Sequence, residues 1–178
     1  MTITVAELDE LPTARAAELL RSCCGAARWV EGMAARRPFH TLDVALDEAD
    51  DVWWSLGPDD WLEAFAHHPR IGERAGAEPQ DARGAAWSAG EQAGVERAAT
   101  DVQAALAEAN RAYERRFGHI YVVCATGKGA EEMLAIARTR LTNDPETELR
   151  VAAGEQAKIT RLRLQKLLTD DTGDASAA

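Results

Sequence analysis

The sequence predicts an all-α protein: a single compact helical domain of about seven to nine helices, with an irregular loop after a His-Pro motif. Three observations predict it. Apolar residues recur three and four apart through nearly every long segment, almost no segment alternates, and Gly and Pro fall between the periodic stretches. The 178 residues fit one domain over residues 1–170, followed by a tail over 171–178 whose composition predicts disorder.

Each element has its local reason. Thr4 is placed to cap a short helix through about Leu8, and Pro12 suits the first turn of the next, whose stripe is Leu19, Leu20, Cys23 and Cys24. Gly25 interrupts that helix, Ala26 to Arg36 resumes it, and Pro38 stops it. After Thr41, the residues Leu42, Ala45, Leu46, Ala49, Val52 and Trp53 share one apolar face. Gly57-Pro58-Asp59 turns into a short helix carrying Trp61, Leu62 and Phe65. It ends at Pro69, because a proline steers the preceding residue out of helical geometry.

Ile71 to Ala86, rich in Gly, Ala, Arg and acid, reads as a surface loop of the kind that carries binding residues. Ser88, with Glu91 three positions on, forms a capping box for a long helix reaching Arg116. His119 to Ala125 is the only β-like string, and without a partner strand it reads as a buried extended segment. Thr126-Gly127-Lys128-Gly129 turns into a helix from about Ala130 to Leu141. Asn143-Asp144-Pro145 opens the last helix, predicted to reach Leu168.

Composition excludes several classes. A net charge of -10 disfavours nucleic acid, whose binding needs Lys and Arg to neutralise phosphates. No stretch approaches the length of a membrane span, and Met1 to Val5 shows no secretion signal. Cys23, Cys24 and Cys124 are odd in number and two are adjacent, which argues for inert thiols in a reducing compartment; a cytoplasmic location is expected.

The chemistry-bearing residues sit near helix ends. An imidazole can give or take a proton near neutrality, so His68 suits proton transfer, but a histidine at a helix C-terminus also caps carbonyls, and both roles fit. His67 lies about 100° further round the helix, so only one of the two enters a given pocket and the other is expected at the surface. The capping box by itself accounts for Ser88 and Glu91, which are also candidate site groups, whereas Gln92 is not needed by the box. Arg161 and Arg163 differ by about 200° on the last helix, so one can face solvent while the other grips a carboxylate. His40, His67, His68 and His119 lack metal-ligand spacing and no phosphate-binding loop is present, so neither metal nor cofactor is expected.

Taken together, His68-Pro69-Arg70-Ile71-Gly72-Glu73, Trp87-Ser88 with Glu91-Gln92-Ala93-Gly94, Phe117-Gly118, and Leu162-Arg163-Leu164 resemble the OHCU decarboxylase family in order and spacing. (OHCU is 2-oxo-4-hydroxy-4-carboxy-5-ureidoimidazoline.) The resemblance covers nearly the whole chain and implies an all-helical, cofactor-free homodimer that decarboxylates OHCU to (S)-allantoin in urate degradation. It implies His68 and Glu91 as catalytic, and Pro69, Ser88, Gln92 and Arg163 as substrate-binding. It further implies that the segment His119, Ile120, Tyr121, Val122 and Val123 approaches the substrate through backbone groups; relatives often carry other residues at the position of His119. Two alternatives stand beside it: a lyase or hydrolase acting on another ureido or hydantoin-like acid, and a non-catalytic helical scaffold that binds partners through its acidic surface.

Overall fold

The computed structural model describes residues 2–71, 83, 84, 86, 87 and 100–170. In chain order the elements are β1 (Ile3–Thr4), α1 (Val5–Glu10), α2 (Thr13–Arg21), α3 (Ala27–Ala35), α4 (Leu42–Ser55) and α5 (Pro58–Ala66). They continue with α6 (Thr100–Phe117), α7 (Ala130–Arg140), α8 (Pro145–Leu167) and β2 (Leu168–Thr169). Eight helices and one two-residue strand pair among the described residues make the protein all-α, as its periodicity predicts. No described helix is long and apolar enough to cross a membrane.

The chain forms two compact units: its N-terminal part through Leu56 together with the chain from Thr160 on, and Gly57–Ile159. In the first unit, Thr4 caps α1 with a full capping box, its hydroxyl accepting from the Glu7 N–H while the Glu7 carboxylate accepts from the Thr4 N–H. Thr41 caps α4 through its hydroxyl alone, which accepts from the Val44 N–H. Trp29 of α3 is buried and donates its indole N–H to the Ala49 carbonyl of α4 at 3.1 Å, so a large apolar ring enters the core with its one polar group satisfied. These helices approach closely where Gly32 meets Val52. A Cβ at Gly32 would lie 2.8 Å from a Val52 methyl.

One small feature departs from expectation. The last helix stops at Leu167, and Leu168 and Thr169 pair in parallel with Ile3 and Thr4. Two residues are too few for an alternating pattern, and the partners lie at opposite ends of the chain, so the sequence carries no local trace of this pairing.

The second unit packs α5, α6, α7 and the first part of α8. Its core includes Ile71, Leu106, Tyr113, Tyr121, Val123 and Met133. Gly118, at φ 75°, ends α6 in a left-handed conformation, and its N–H donates to the Glu114 carbonyl at 2.9 Å. The chain leaves this cap as an extended segment with no strand partner among the described residues, buried from Tyr121 to Ala125, in line with the predicted buried extended segment. The expected loop over Ile71 to Ala86 lies mostly outside the described residues, but Arg83, Gly84 and Ala86 are helical, so helix begins before the predicted end of that loop. The tail over 171–178 also lies outside the described residues.

Candidate active site

Helix α5 delivers the His-Pro motif. Its last backbone bonds run from the His67 N–H to Ala64 and from the His68 N–H to Phe65, after which Pro69 lacks the donor that would continue the helix. The His68 Nε2 lies 2.6 Å from Oε1 of Gln156, a side chain of α8 with no exposed surface. The next residues are held just as firmly. Arg70 forms a two-pronged pair with Glu114 of α6, at 2.6 and 2.9 Å, and Asn110 of the same helix donates to the Ile71 carbonyl at 2.8 Å. Three successive anchors on two helices therefore fix the segment from His68 to Ile71, which a chain with a free His-Pro corner would leave to side-chain entropy.

His67 is half-buried rather than at the surface; the turn of about 100° separates it from the direction His68 takes, but the chain around the helix end still covers part of it.

The extended segment is fixed by charges drawn from the helices around it. Arg140 of α7 donates to the Val122 carbonyl at 2.7 Å, to Glu148 and to the Tyr113 hydroxyl, and its guanidinium lies over the Tyr121 ring at 4.9 Å. Glu148 is fully buried and also accepts from Tyr113 and, at 2.8 Å, from Asn143. Burial opposes the charge on Arg140, but its bond to Glu148 and the neighbouring Tyr113, Glu148 and Tyr121 outweigh that, and the net effect is a raised pKa. Burial pushes the Tyr113 and Tyr121 phenols well above their usual range, so both hydroxyls remain donors. Tyr121 gives its proton to the Met133 carbonyl at 3.1 Å.

Two residues further on, the Cys124 N–H donates to Glu155 at 2.8 Å. Burial raises the Glu155 pKa, but the Lys158 ammonium and the Cys124 N–H together prevail and hold it below the usual carboxylate value. Adjacent residues of α8 thus serve two parts of the site region: Glu155 holds the extended segment and Gln156 meets His68.

His119 begins that segment. Its ring is surrounded by Phe65 at 5.3 Å, Tyr113 at 5.4 Å and Phe117 at 6.2 Å, and its Nδ1 lies 3.0 Å from the Ile120 carbonyl. A carbonyl oxygen only accepts, so Nδ1 carries the proton. Burial is the main cause of a lowered pKa. His119 is therefore a neutral, packed imidazole.

Near the end of α8, the two arginines part as helix geometry requires. Arg161 is half-exposed and pairs with Asp50 at 3.1 Å, whereas Arg163 is only 3% exposed. Ser88, Glu91 and Gln92 lie outside the described residues. Pro69 is half-buried beside His68.

Sequence reasoning missed Gln156. The signal existed: Glu148, Ala152, Gln156, Ile159 and Arg163 recur at helical spacing along one buried face of α8, and a polar side chain within such a stripe must meet a partner. Among the described residues, no three of His, Cys, Asp or Glu gather as a metal would require.

Residues 9–165 match the family model described as OHCU decarboxylase. A "Uric acid degradation bifunctional protein TTL" from Arabidopsis thaliana is 38% identical over 151 residues, which are 83% of this chain and 46% of that protein. The chain thus spans less than half the length of this bifunctional relative. A 2-oxo-4-hydroxy-4-carboxy-5-ureidoimidazoline decarboxylase from Amia calva is 32% identical over 137 residues, 74% of this chain and 75% of that protein. Among solved structures, an OHCU decarboxylase crystallised in the presence of (S)-allantoin superposes with a TM-score of 0.72 at 34% identity, covering 84% of this chain and 96% of that one. With its motifs in family order and the match running through nearly all its helices, the chain belongs to the OHCU decarboxylase family.

Proposed function

We propose that this protein decarboxylates OHCU to (S)-allantoin, without cofactor, as a step of urate degradation. The observation that carries this reading is the extensive likeness to a decarboxylase solved with (S)-allantoin, joined to a His-Pro segment anchored as a proton-transfer site requires.

The substrate supplies its own electron sink. Its carboxylate sits on a hydroxyl-bearing carbon next to an imine carbon. As the bond to CO₂ breaks, its electron pair forms a double bond between these two ring carbons and the imine nitrogen takes up a proton. The resulting enol then loses its hydroxyl proton while the former imine carbon is protonated on one face, which sets the S configuration. The protein must therefore hold the carboxylate out of the ring plane, move protons, and expose one face only.

His68 moves the proton, with Glu91 orienting it or binding the hydroxyl. General acid–base assistance of this kind contributes roughly 10²- to 10⁴-fold. Arg163 orients the carboxylate through its planar fork. A firm grip on the carboxylate would oppose loss of CO₂, so orientation rather than tight binding is its use. Ser88 and Gln92 read the urea-like edges, and the backbone from His119 to Val123, with Pro69, shapes the wall. We further propose a cytoplasmic homodimer, the assembly that family resemblance implies; the location agrees with three buried free cysteines.

Freshly generated OHCU decays slowly to racemic allantoin, so circular dichroism at a fixed wavelength tests the activity. Enzyme should accelerate the appearance of one enantiomer. An unchanged racemic time course at micromolar protein would exclude this substrate and favour another ureido acid.

A further inference from the structure

We propose that Gln156 is the positioning residue for His68: its carboxamide oxygen accepts the Nε2 proton and holds the ring in the Nε2–H tautomer, leaving Nδ1 as the ring's basic nitrogen. The inference rests on the assignment of His68 as the proton carrier. It adds a residue from the far part of the chain to that role.

The geometry carries it. Nε2 and Oε1 are 2.6 Å apart, short for a neutral pair, and Gln156 has no exposed surface, so water does not compete for its oxygen. The end of the amide that faces the ring follows from what the ring must do. A histidine that carries a proton alternates between neutral imidazole and imidazolium, and in the charged form both nitrogens are donors. An oxygen accepts from Nε2–H in both forms. An amide NH₂ in its place would meet an N–H head-on whenever the ring was charged, and the ring would swing away. Only the oxygen keeps the imidazole in one orientation through the proton cycle.

The neutrality of the acceptor also matters. A carboxylate at this position would stabilise the imidazolium and make the ring slow to release its proton. A carboxamide fixes direction and tautomer while adding no charge. Neighbouring anchors serve the same end: Arg70 with Glu114 and Asn110 with Ile71 hold the backbone beyond the motif, so the bond from Gln156 need only set the ring's rotation.

The test combines histidine nitrogen spectroscopy with turnover on the full chain. Long-range ¹H–¹⁵N correlation at about pH 8.5, two units above the ordinary histidine pKa, reads the tautomer of the neutral ring. His68→Asn identifies the signal by its loss. Wild type should show Nε2–H. Gln156→Met, which keeps length but removes the acceptor, should show a tautomer mixture and lose at least about tenfold in kcat. Gln156→Glu should keep the Nε2–H form and recover part of that loss.

An Nδ1–H pattern in wild type would overturn the proposal, whether or not the Met variant folds. So would a Met variant with lowered melting temperature but unchanged tautomer and kcat, since Gln156 would then be a packing residue only. Wild type that is inactive on OHCU yet shows the acceptor-dependent tautomer would refute the substrate and leave the positioning role standing. Active wild type with a tautomer indifferent to Gln156 would do the reverse.

Discussion

The imidazole Nε2 of His68 lies 2.6 Å from the carboxamide oxygen of Gln156, 88 residues further along the chain. That contact adds a structural distinction between two neighbouring histidines, of which the motif order singles out His68. His68 meets a polar partner on α8, while His67 serves as the C-cap residue of α5.

His68→Asn should therefore preserve the fold and lose at least about 10² in turnover, because it retains polarity without the titratable nitrogen. His67→Asn should stay within a few-fold of wild type. Circular dichroism of allantoin formation, with a thermal melt of each variant, decides between them; the opposite ranking would reverse the roles of the two histidines.

The buried Arg163 and half-exposed Arg161 should respond differently to the same change. Arg163→Lys should reduce kcat/KM by an order of magnitude or more, since an ammonium lacks the planar fork that orients a carboxylate. Arg161→Lys should leave kinetics unchanged, and even full loss of its exposed pair with Asp50 should cost no more than about 1 kcal/mol. Equal kinetic effects from both changes would remove the special role of Arg163.

Arg140 and Glu148 should prove a matter of stability before activity. Removing the cation in Arg140→Met strands a fully buried carboxylate, which costs about 3–5 kcal/mol. Adding Glu148→Gln should return part of that loss by discharging the stranded group. Urea unfolding of the single and double variants measures both. A single-variant loss below about 1 kcal/mol would mean that the network does not hold the extended segment.

His119 predicts a pH dependence of stability. Burial depresses its folded pKa below the ordinary 6.5. Between the two values the unfolded chain binds more protons than the folded one, so stability rises with pH there. The contribution is complete above about pH 6.5 and disappears as pH falls through the folded value. His119→Phe should thus melt with a flatter pH profile between about pH 7.5 and 5.5 than wild type does. Parallel profiles would show that protonation of His119 is not coupled to folding.

Activity should survive extensive EDTA treatment, because the substrate's imine accepts the electrons released with CO₂. Loss on chelation, restored by one divalent ion, would reassign the histidines as ligands and overturn the acid–base role of His68.

The sequence by itself determined most of the helical order. Thr4 and Thr41 cap because a hydroxyl at that position answers an unpaired N–H, Pro58 opens a helix because its fixed φ fits the first turn, and Gly118 ends one because it tolerates a left-handed φ. These are forces acting over three or four residues, so local sequence records them. The motif order likewise singled out His68 and Arg163 as candidates. Only tertiary structure decided which groups meet across the chain: Gln156 with His68, Glu155 with Cys124, Arg140 with Val122, and the pairing of Ile3–Thr4 with Leu168–Thr169. A buried polar atom announces that it needs a partner, but not which one. The partner is fixed by helix packing summed over the whole core, and no short stretch of residues encodes that sum.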